Sequence, residues 1–451
     1  MARPLWTNRW VTARRVAGIF FPQRPLLKLD THGYSPAILH KIVGVAGQVK
    51  SYQVAADVLR LAAHLTISGR HVNRLTEEIG QELQQQRDQR MEDYVHHRRQ
   101  KPTIPAPAAI AIGLDGGRIL TRTPGHGPGV HDEQWKEDKV ACLLTLKGHT
   151  FESDPHPEPP KCFLDPPAVD KLVRELQAHH GPRQENELPQ LAELRLGQQA
   201  VAEPTPAAAE PAKPQKRLWP PERTKNARTC VATLADSATF GKLVAAEAYR
   251  RNFQAASRGA LLGDGSAWIW KLHEKWFATL TAVADFVHPL TYLYVTATVL
   301  ADNVAERWQR YVTWMTQCWQ GQVRAVIEDL AKRLEQLGPF AGAGPPPPTD
   351  AREVLRRTVT YLQNNASRMQ YPEYRRQGLP VTSSMVESLI KEVNYRVKGT
   401  EKFWDRPEGA EAILQVRAAL LSDDDRLAHH IENRPGRAHR RRTPRQSAKA
   451  A

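Results

Sequence analysis

Three acidic residues stand at places in the sequence that suit ligands of catalytic metal ions. Asp115 follows an apolar run in IGLDGG, and Asp264 follows another in ALLGDG. Glu387 stands near the start of VTSSMVESLIKEV, whose apolar spacing predicts a helix. Carboxylate oxygens are the ligands that Mg²⁺ prefers, and two such ions can stabilise the attacking and leaving oxygens of a phosphodiester reaction. We therefore predict that Asp115, Asp264 and Glu387 are catalytic residues and metal ligands.

Each of these carboxylates also has a purely structural interpretation. An Asp-Gly pair after a strand is common in turns, which applies to Asp115 and Asp264. Ser384 and Glu387 have the spacing of a capping box, in which the glutamate only caps a backbone amide. Asp285, in VADFVHP, competes with Asp264 for the second position. We favour Asp264 because glycines on both sides would permit close approach of a metal ion or a phosphate.

Basic and aromatic residues follow Glu387 along the chain. They are Lys391, Arg396, Lys398, Lys402 and Trp404. Cations neutralise phosphates and aromatic rings stack on bases, so we predict that this segment holds DNA. The alternatives are a solvated cationic helix face and, for Trp404, an anchor in the core.

The composition of the chain favours a polyanionic partner. The 451 residues carry a net charge of +15, and the sequence pI is about 9.7. Nucleic acid is the first candidate partner, and an acidic membrane surface is the second. The four cysteines lie far apart without a CxxC pair, which indicates a reducing compartment. We find neither a signal peptide nor an apolar run of about 18 residues, so the expected location is the cytoplasm.

Two other kinds of chemistry have weaker support in the sequence. A zinc site could be assembled from Cys142, His149, His156 and Cys162, but their spacings are wide and no CxxC is present. A serine hydrolase of the GxSxG type is excluded because that motif does not occur in the chain. Phosphodiester chemistry on carboxylate-bound metal ions remains the leading interpretation.

The N-terminal part of the sequence predicts a basic arm at 1–33 and a helical DNA-binding domain at 34–101. The short break TISGR separates two segments with helical spacing, which is the layout of a helix-turn-helix. His71, Asn73 and Arg74 fall near the start of the second helix and are the candidate DNA contacts. An ordinary helical hairpin is the alternative.

The remainder predicts a mixed α/β fold, because apolar strand-like runs alternate with helical segments. The predicted strands cover 109–122, 136–151, 228–234, the apolar run that leads to Asp264, and 279–290, with Asp285 inside the last. The predicted parts are an α/β domain in two pieces at 102–152 and 223–289, a Pro-rich insertion or linker at 153–222 with one short helix at 168–180, an all-α insertion at 290–371, C-terminal helices at 372–433 and a basic disordered tail at 434–451.

The chain resembles the DDE transposases of bacterial insertion sequences, nearest the Kra-type group. The segments that carry the resemblance are LTISGRHVNRLTEEIGQEL, IGLDGG, VADFVHPLTYLY, GLPVTSSMVESLIKEVNYRVKGTEKFW and EGAEAILQVRAALL. They are spread over the chain outside the arm, the Pro-rich insertion and the tail. The fourth segment is the most specific of them.

The resemblance implies an RNase H-like catalytic domain with a helical insertion before the final glutamate. Asp115, Asp264 and Glu387 would form the DDE triad and bind two Mg²⁺ or Mn²⁺ ions. The implied activity is hydrolysis at the transposon end, followed by attack of the freed 3′-hydroxyl on target DNA. The N-terminal helices would read the terminal inverted repeats, and the protein would act on DNA as a homodimer or higher oligomer.

Two further functions stay open at the level of the sequence. The first is a catalytically inactive DNA-binding protein derived from a transposase. The second is a basic helical scaffold that binds nucleic acid without catalysis, in which the carboxylates would not meet in the folded chain. The geometry of the folded chain distinguishes this scaffold from the enzyme.

Overall fold

The predicted mixed α/β fold is confirmed in the structure, a computed structural model. It describes residues 26–121, 134–178, 188–194, 223–342, 344–382, 384–397, 404 and 406–435. Within these residues one sheet is formed by β1 (Ala109–Thr121), β2 (Gln134–Leu146), β3 (Arg223–Thr233), β4 (Arg258–Gly263) and β5 (Thr281–Ala284).

The order of the strands across the sheet is β3-β2-β1-β4-β5. The pairs β1–β2 and β2–β3 are antiparallel, whereas β1–β4 and β4–β5 are parallel. Residues 109–114 of the central strand β1 are buried without interruption, as expected for a strand covered on both faces. Because β1, β4 and β5 run in the same direction, their carboxyl ends lie at the same edge of the sheet.

Helices connect and cover these strands. In chain order they are α1 (Pro36–Gln48), α2 (Tyr52–Ala63), α3 (Gly69–Val95), α4 (Pro166–Gln177), α5 (Ser237–Arg250), α6 (Ala267–Trp276), α7 (Val287–Leu300), α8 (Val304–Trp319), α9 (Val323–Leu337), α10 (Ala351–Asn365), α11 (Tyr371–Arg376), α12 (Ser384–Val397), α13 (Pro407–Leu420) and α14 (Arg426–Glu432).

The last predicted strand, 279–290, is wrong in its second half. The strand β5 ends at Ala284, and helix α7 begins at Val287. Pro289 lies in the first turn of that helix, where its missing N–H costs no hydrogen bond. Asp285 therefore follows a strand, as Asp264 does, and does not lie inside one.

The N-terminal helices that the sequence predicts are present. The hydroxyl of Ser51 accepts a hydrogen bond from the amide of Val54 at the start of α2, and Ser68 does the same for His71 at the start of α3, which is the usual N-cap arrangement. Helix α3 packs against α5 and α13. These helices therefore share the hydrophobic core of the α/β part.

The contact between α3 and α13 is close because Gly80 has no side chain. A Cβ atom at Gly80 would lie 2.2 Å from the backbone oxygen of Ala412. Near this crossing the guanidinium of Arg87 donates to the Glu411 carboxylate over 2.7 Å. Glu411 also accepts hydrogen bonds from Thr233 and from the amide of Leu234 at the end of β3. A buried carboxylate thus ties the N-terminal helices to the sheet.

Replacing Gly80 by alanine is expected to lower the free energy of unfolding by about 2 kcal/mol, because the two helices must separate to admit the methyl group. Gly44, in α1, is the matched control, since no atom lies within 4 Å of the position of its Cβ. There Gly→Ala should stabilise the protein by about 0.5–1 kcal/mol. Denaturant unfolding of both variants measures the two effects. Equal effects at the two positions would contradict the close packing of α3 on α13.

A helical block, α7 to α11, stands between β5 and α12, where the sequence predicts an all-α insertion. The single helical run expected at 292–337 is divided into three helices, because turns at 301–303 and 320–322 interrupt it. The core of the block contains the buried rings of Tyr294, Tyr311 and Trp319. The edge of Tyr294 packs against the face of Tyr311 at 5.2 Å between ring centroids.

The sequence predicts an insertion or a linker at 153–222, and the first part of this segment fits an insertion because it is folded. The short helix expected at 168–180 is present as α4, and the residues before it pack on the helical block. The carboxylate of Asp154 pairs with Arg375. The carbonyls of His156 and Phe163 accept hydrogen bonds from Trp319 and Tyr311. Residues 179–187 and 195–222 lie outside the described residues.

Both predicted tails include residues that contact the folded body. Lys28, assigned to the basic arm, donates to the carbonyl of Glu432 over 2.8 Å. Arg434, the first residue of the predicted disordered tail, donates to the carboxylates of Glu78 and Glu82 on α3. The remainder of the arm, 1–25, and of the tail, 436–451, lies outside the described residues.

Candidate carboxylate site at the edge of the sheet

Asp115 lies in the middle of β1, and Asp264 directly follows the neighbouring parallel strand β4. The β1–β4 ladder pairs Gly113 with Leu262. Continuing that register by two residues places Asp115 opposite Asp264, which directly follows β4. Adjacent strands are about 4.8 Å apart, and residues in register point to the same face of a sheet. Both side chains are partly exposed, so the fold brings two carboxylates together at an accessible edge.

A tight turn holds the carboxylate of Asp264. Its Oδ1 atom accepts a hydrogen bond from the amide of Ser266 over 2.8 Å, and its Oδ2 atom accepts one from the Ser266 hydroxyl over 2.9 Å. Gly265 has a φ angle of +103°, a conformation that favours glycine. The carboxylate therefore has a defined direction before any ligand binds.

The glycines beside Asp264 were expected to permit close approach of a metal ion or a phosphate. They do not have that role. A Cβ atom at Gly263 would lie 2.8 Å from Ile269, and one at Gly265 would lie 2.6 Å from the ring of Tyr361. Both glycines therefore face protein atoms. Their small size permits the close packing of the turn, and it does not open a path for a metal ion or a phosphate.

Asp285 occupies the equivalent position on the next strand but is buried. The ladder between β4 and β5 pairs Gly263 with Ala284, so Asp285 lies opposite Asp264. The side chain of Asp285 is only 1% exposed, and its Oδ1 atom accepts a hydrogen bond from the amide of Val287 at the start of α7. This bond spans two residues and closes a local turn just before the helix. Asp264 is thus the more accessible of the two candidates.

Glu387 lies in the first turn of α12, but its side chain is outside the described residues. The backbone leading to the helix passes beside the site, because the carbonyl of Val381 accepts a hydrogen bond from the amide of Phe286 over 2.9 Å. Helix α12 then crosses β1 and β2. It buries Leu389, Val393 and Val397, which are spaced by four residues along one face.

Of the cationic residues after Glu387 that were predicted to hold DNA, the structure describes Lys391 and Arg396, which have different environments. Lys391 is exposed and pairs with Glu175 of α4 over 2.7 Å, and this hydrogen bond lowers the pKa of Glu175. Lys391 and the exposed ring of Tyr395 line an open groove of about 830 Å³ beside α12. Lys398 and Lys402 lie outside the described residues.

Arg396 and Trp404, predicted to contact DNA, are structural in this fold. Arg396 is 2% exposed, and its Nε atom donates to the carbonyl of Ala46 over 2.8 Å. Burial lowers the pKa of the Arg396 guanidinium. The indole nitrogen of Trp404 donates to Val397, and its amide donates to Leu120 of β1. Trp404 is therefore the anchor that the sequence left as an alternative, and Arg396 does not present its charge to a ligand.

The three candidate DNA contacts at the start of α3 have different environments. Arg74 is exposed. The His71 ring packs edge to face against His32 at 4.6 Å between centroids, and burial together with His32 and Arg74 lowers the pKa of His71. The Oδ1 atom of Asn73 is buried. Of the three, Arg74 is the residue that presents a charge at the surface.

The alternative zinc set finds no support in the described part of the chain. Cys142 is buried in β2, directly opposite Cys230 of β3, whereas Cys162 is exposed. Among residues whose side chains the structure describes, no three His, Cys, Asp or Glu side chains form a group that could hold a metal ion. The side chain of Glu387 lies outside those residues.

The residues that support the turn at Asp264 were not among those predicted from the sequence. They are Trp270 on α6 and Tyr361 and Asn365 on α10, whose hydrogen bonds reach the backbone of the turn or each other. Tyr361 is 97 residues from Asp264 along the chain. An aromatic residue in an amphipathic helix is an ordinary core residue by pattern, so no local signal could have identified it.

Comparison with known proteins adds no family assignment. No model of a protein family matches the sequence, and no curated protein is significantly similar to it. Within the described residues, the helices are all too short or too polar to span a bilayer.

Proposed function

We propose that this protein is a DDE transposase, which cuts and transfers DNA strands of an insertion sequence with the help of divalent metal ions. The observation that carries the proposal is the parallel β1–β4 ladder, which ends at Gly113 and Leu262, two residues before Asp115 and Asp264. The mixed sheet, followed by a helical block and then by α12, supports an RNase H-like catalytic domain. The position of Glu387 in the first turn of α12 agrees with a role as the third carboxylate.

The donor set fits the metal ions that this chemistry requires. Asp115, Asp264 and Glu387 offer only carboxylate oxygens, which hard cations such as Mg²⁺ or Mn²⁺ prefer. When bound, two such ions would stabilise the charge that develops on the attacking and leaving oxygens. The chain itself supplies the position of its carboxylates: β1 holds Asp115, and the Ser266 turn holds Asp264. Such rigid mounting is what a preorganised site needs.

The partners would be the terminal inverted repeats of the element and a target DNA. The net charge of +15 favours binding to a polyanion. Arg74 at the start of α3 is an exposed cation in the segment proposed to read the repeats, and Lys391 and Tyr395 offer a charge and a ring along α12. The protein would work in the cytoplasm, at the nucleoid, as a homodimer or higher oligomer on DNA.

Cleavage of the gene's own flanking DNA tests this proposal. The substrate is a plasmid that carries the genomic segments on both sides of the gene, and strand breaks are mapped in the presence of Mg²⁺. We expect breaks at matching inverted repeats, and we expect EDTA to abolish them, because removing the ions removes the charge stabilisation.

A plasmid with unrelated DNA in place of the flanks is the control, and breaks should not accumulate at defined positions in it. Specific binding to the flanks without any metal-dependent break would overturn the proposal in favour of an inactive DNA-binding protein. Equal binding to both plasmids without breaks would favour the basic scaffold.

A further inference from the structure

We propose that Tyr361, in the helical block, is a positioning residue that fixes the turn carrying Asp264 and thereby sets the affinity of the site for divalent metal ions. This inference rests on the proposed function, since it assumes that Asp264 is a metal ligand. Its starting observation is a hydrogen bond of 3.0 Å, in which the Tyr361 hydroxyl donates to the backbone carbonyl of Asp264 itself.

Three side chains from the surrounding helices support the turn: Tyr361, Trp270 and Asn365. Besides Tyr361, the indole nitrogen of Trp270 donates to the carbonyl of Gly265 over 3.2 Å and to Oδ1 of Asn365 over 3.0 Å. The Nδ2 atom of Asn365 donates to the carbonyl of Tyr361. Two consecutive carbonyls of the turn, those of Asp264 and Gly265, therefore have donors from the surrounding helices.

Tyr361 is itself held in place. Its ring stacks on that of Tyr292 with 4.0 Å between centroids and an interplanar angle of 7°. The stack fixes the direction of the Tyr361 hydroxyl, which donates to the carbonyl of Asp264.

Orientation of the carboxylate depends on the peptide that Tyr361 holds. Both oxygens of Asp264 bond to Ser266, two residues further along the same turn. The carboxylate and its partner therefore move together if the turn rotates. Gly265, whose Cβ position is filled by Tyr361 and Asn365, makes the turn soft unless these neighbours constrain it. The helical block thus supplies the rigidity that the turn lacks.

Mn²⁺ binding to the full-length protein tests the role of Tyr361, with the affinity measured by electron paramagnetic resonance of the free ion. The variant Tyr361→Phe keeps the stacked ring and removes only the donor. We expect its affinity for Mn²⁺ to fall roughly tenfold, the usual effect of removing a group that orients a metal ligand. Trp270→Phe, which removes the second donor to the turn, should weaken binding in the same direction.

Tyr371→Phe is the matched control. The Tyr371 hydroxyl also donates over 3.0 Å to a backbone carbonyl, that of Ala284 at the end of the neighbouring strand, so both variants lose one hydrogen bond to a strand-end carbonyl. Thermal unfolding should shift by similar amounts in the two. Unchanged Mn²⁺ affinity in Tyr361→Phe and Trp270→Phe would overturn the inference, and so would equal weakening by Tyr371→Phe.

Failure of the proposed function gives a different result. If the wild-type protein does not bind Mn²⁺, or if Asp264→Asn binds it as tightly as the wild type, then Asp264 is not a metal ligand and the proposal for the site is wrong. If the wild type binds and Asp264→Asn does not, the site stands, and the Tyr361→Phe result decides the positioning role alone.

Discussion

Asp264→Asn is expected to lower the rate of metal-dependent DNA cleavage by roughly 10³-fold, since a lost ligand removes several kcal/mol of charge stabilisation. Asp285→Asn is the matched control, because the two residues lie opposite each other after β4 and β5. The carboxylate of Asp285 is buried and accepts a hydrogen bond from the amide of Val287. The side-chain oxygen of an asparagine can accept the same hydrogen bond. We expect the rate of Asp285→Asn to stay within about tenfold of the wild type.

Single-turnover cleavage of the flanking-DNA plasmid measures both rates, with circular dichroism to confirm folding. Glu387→Gln belongs in the same series. It should be as inactive as Asp264→Asn if Glu387 is the third ligand, whereas full activity would show that Glu387 only caps α12. A rate lost in Asp285→Asn and kept in Asp264→Asn would reverse the assignment of the second carboxylate.

Asp154→Ala is expected to lower the free energy of unfolding by about 3–5 kcal/mol, because it leaves a buried guanidinium without its counter-charge. The side chain of Arg375 is 0% exposed. Its Nε atom donates to Asp154 over 2.8 Å, and its guanidinium lies 4.1 Å from the centre of the Trp319 ring. The pair joins the segment after β2 to the helical block, so its loss should loosen both.

Glu373→Ala, on the same helix as Arg375, is the control. Glu373 pairs with Arg376, but both side chains are largely exposed, and such a pair is worth less than about 1 kcal/mol. Denaturant unfolding measures both variants. If residues 151–178 are part of the fold, the buried Asp154–Arg375 pair must contribute more to the free energy of unfolding than the Glu373–Arg376 pair. Equal effects of the two variants would contradict this.

The Asp154 pair also predicts a pH dependence of stability. Burial tends to raise the pKa of Asp154, but hydrogen bonds from Arg375 and from the amide of His156 outweigh it and hold this pKa below its ordinary value. A carboxyl group with a lowered pKa stabilises the fold above its unfolded-state pKa of about 3.9, and this contribution is lost as the pH falls below that value. The difference in stability between wild type and Asp154→Asn should therefore shrink below about pH 4.

Local patterns in the sequence predicted most of the elements. The apolar runs before Asp115 and Asp264 predicted strand ends, which is correct for Asp264 after β4 and wrong for Asp115, because β1 continues to Thr121 and pairs Asp115 with Val140. Helical spacing predicted α1 to α3. These predictions of elements hold because burial of apolar side chains acts on a few consecutive residues, with a period that a sequence shows directly.

The roles of individual polar residues were decided by packing. Arg396 belongs to a cationic segment by pattern, yet the fold buries it against α1. Asp154 sits in a Pro-rich stretch that resembles a linker, yet it neutralises Arg375, which lies 221 residues away. A charged side chain is buried only when a partner satisfies it, and for Arg396 and Asp154 that partner is distant in the chain, so the sequence near each residue carries no record of it.

The sequence by itself determined that the chain has a mixed α/β fold, a strongly basic charge and an aspartate, Asp264, directly after a strand. Only the tertiary structure decided that Asp115 and Asp264 are neighbours, that Asp285 is buried beside them, and that Tyr361 supports the turn between β4 and α6. The physical reason is that strand pairing and side-chain packing join residues far apart in the chain. Such contacts depend on the register and crossing of whole elements, which local spacing does not specify.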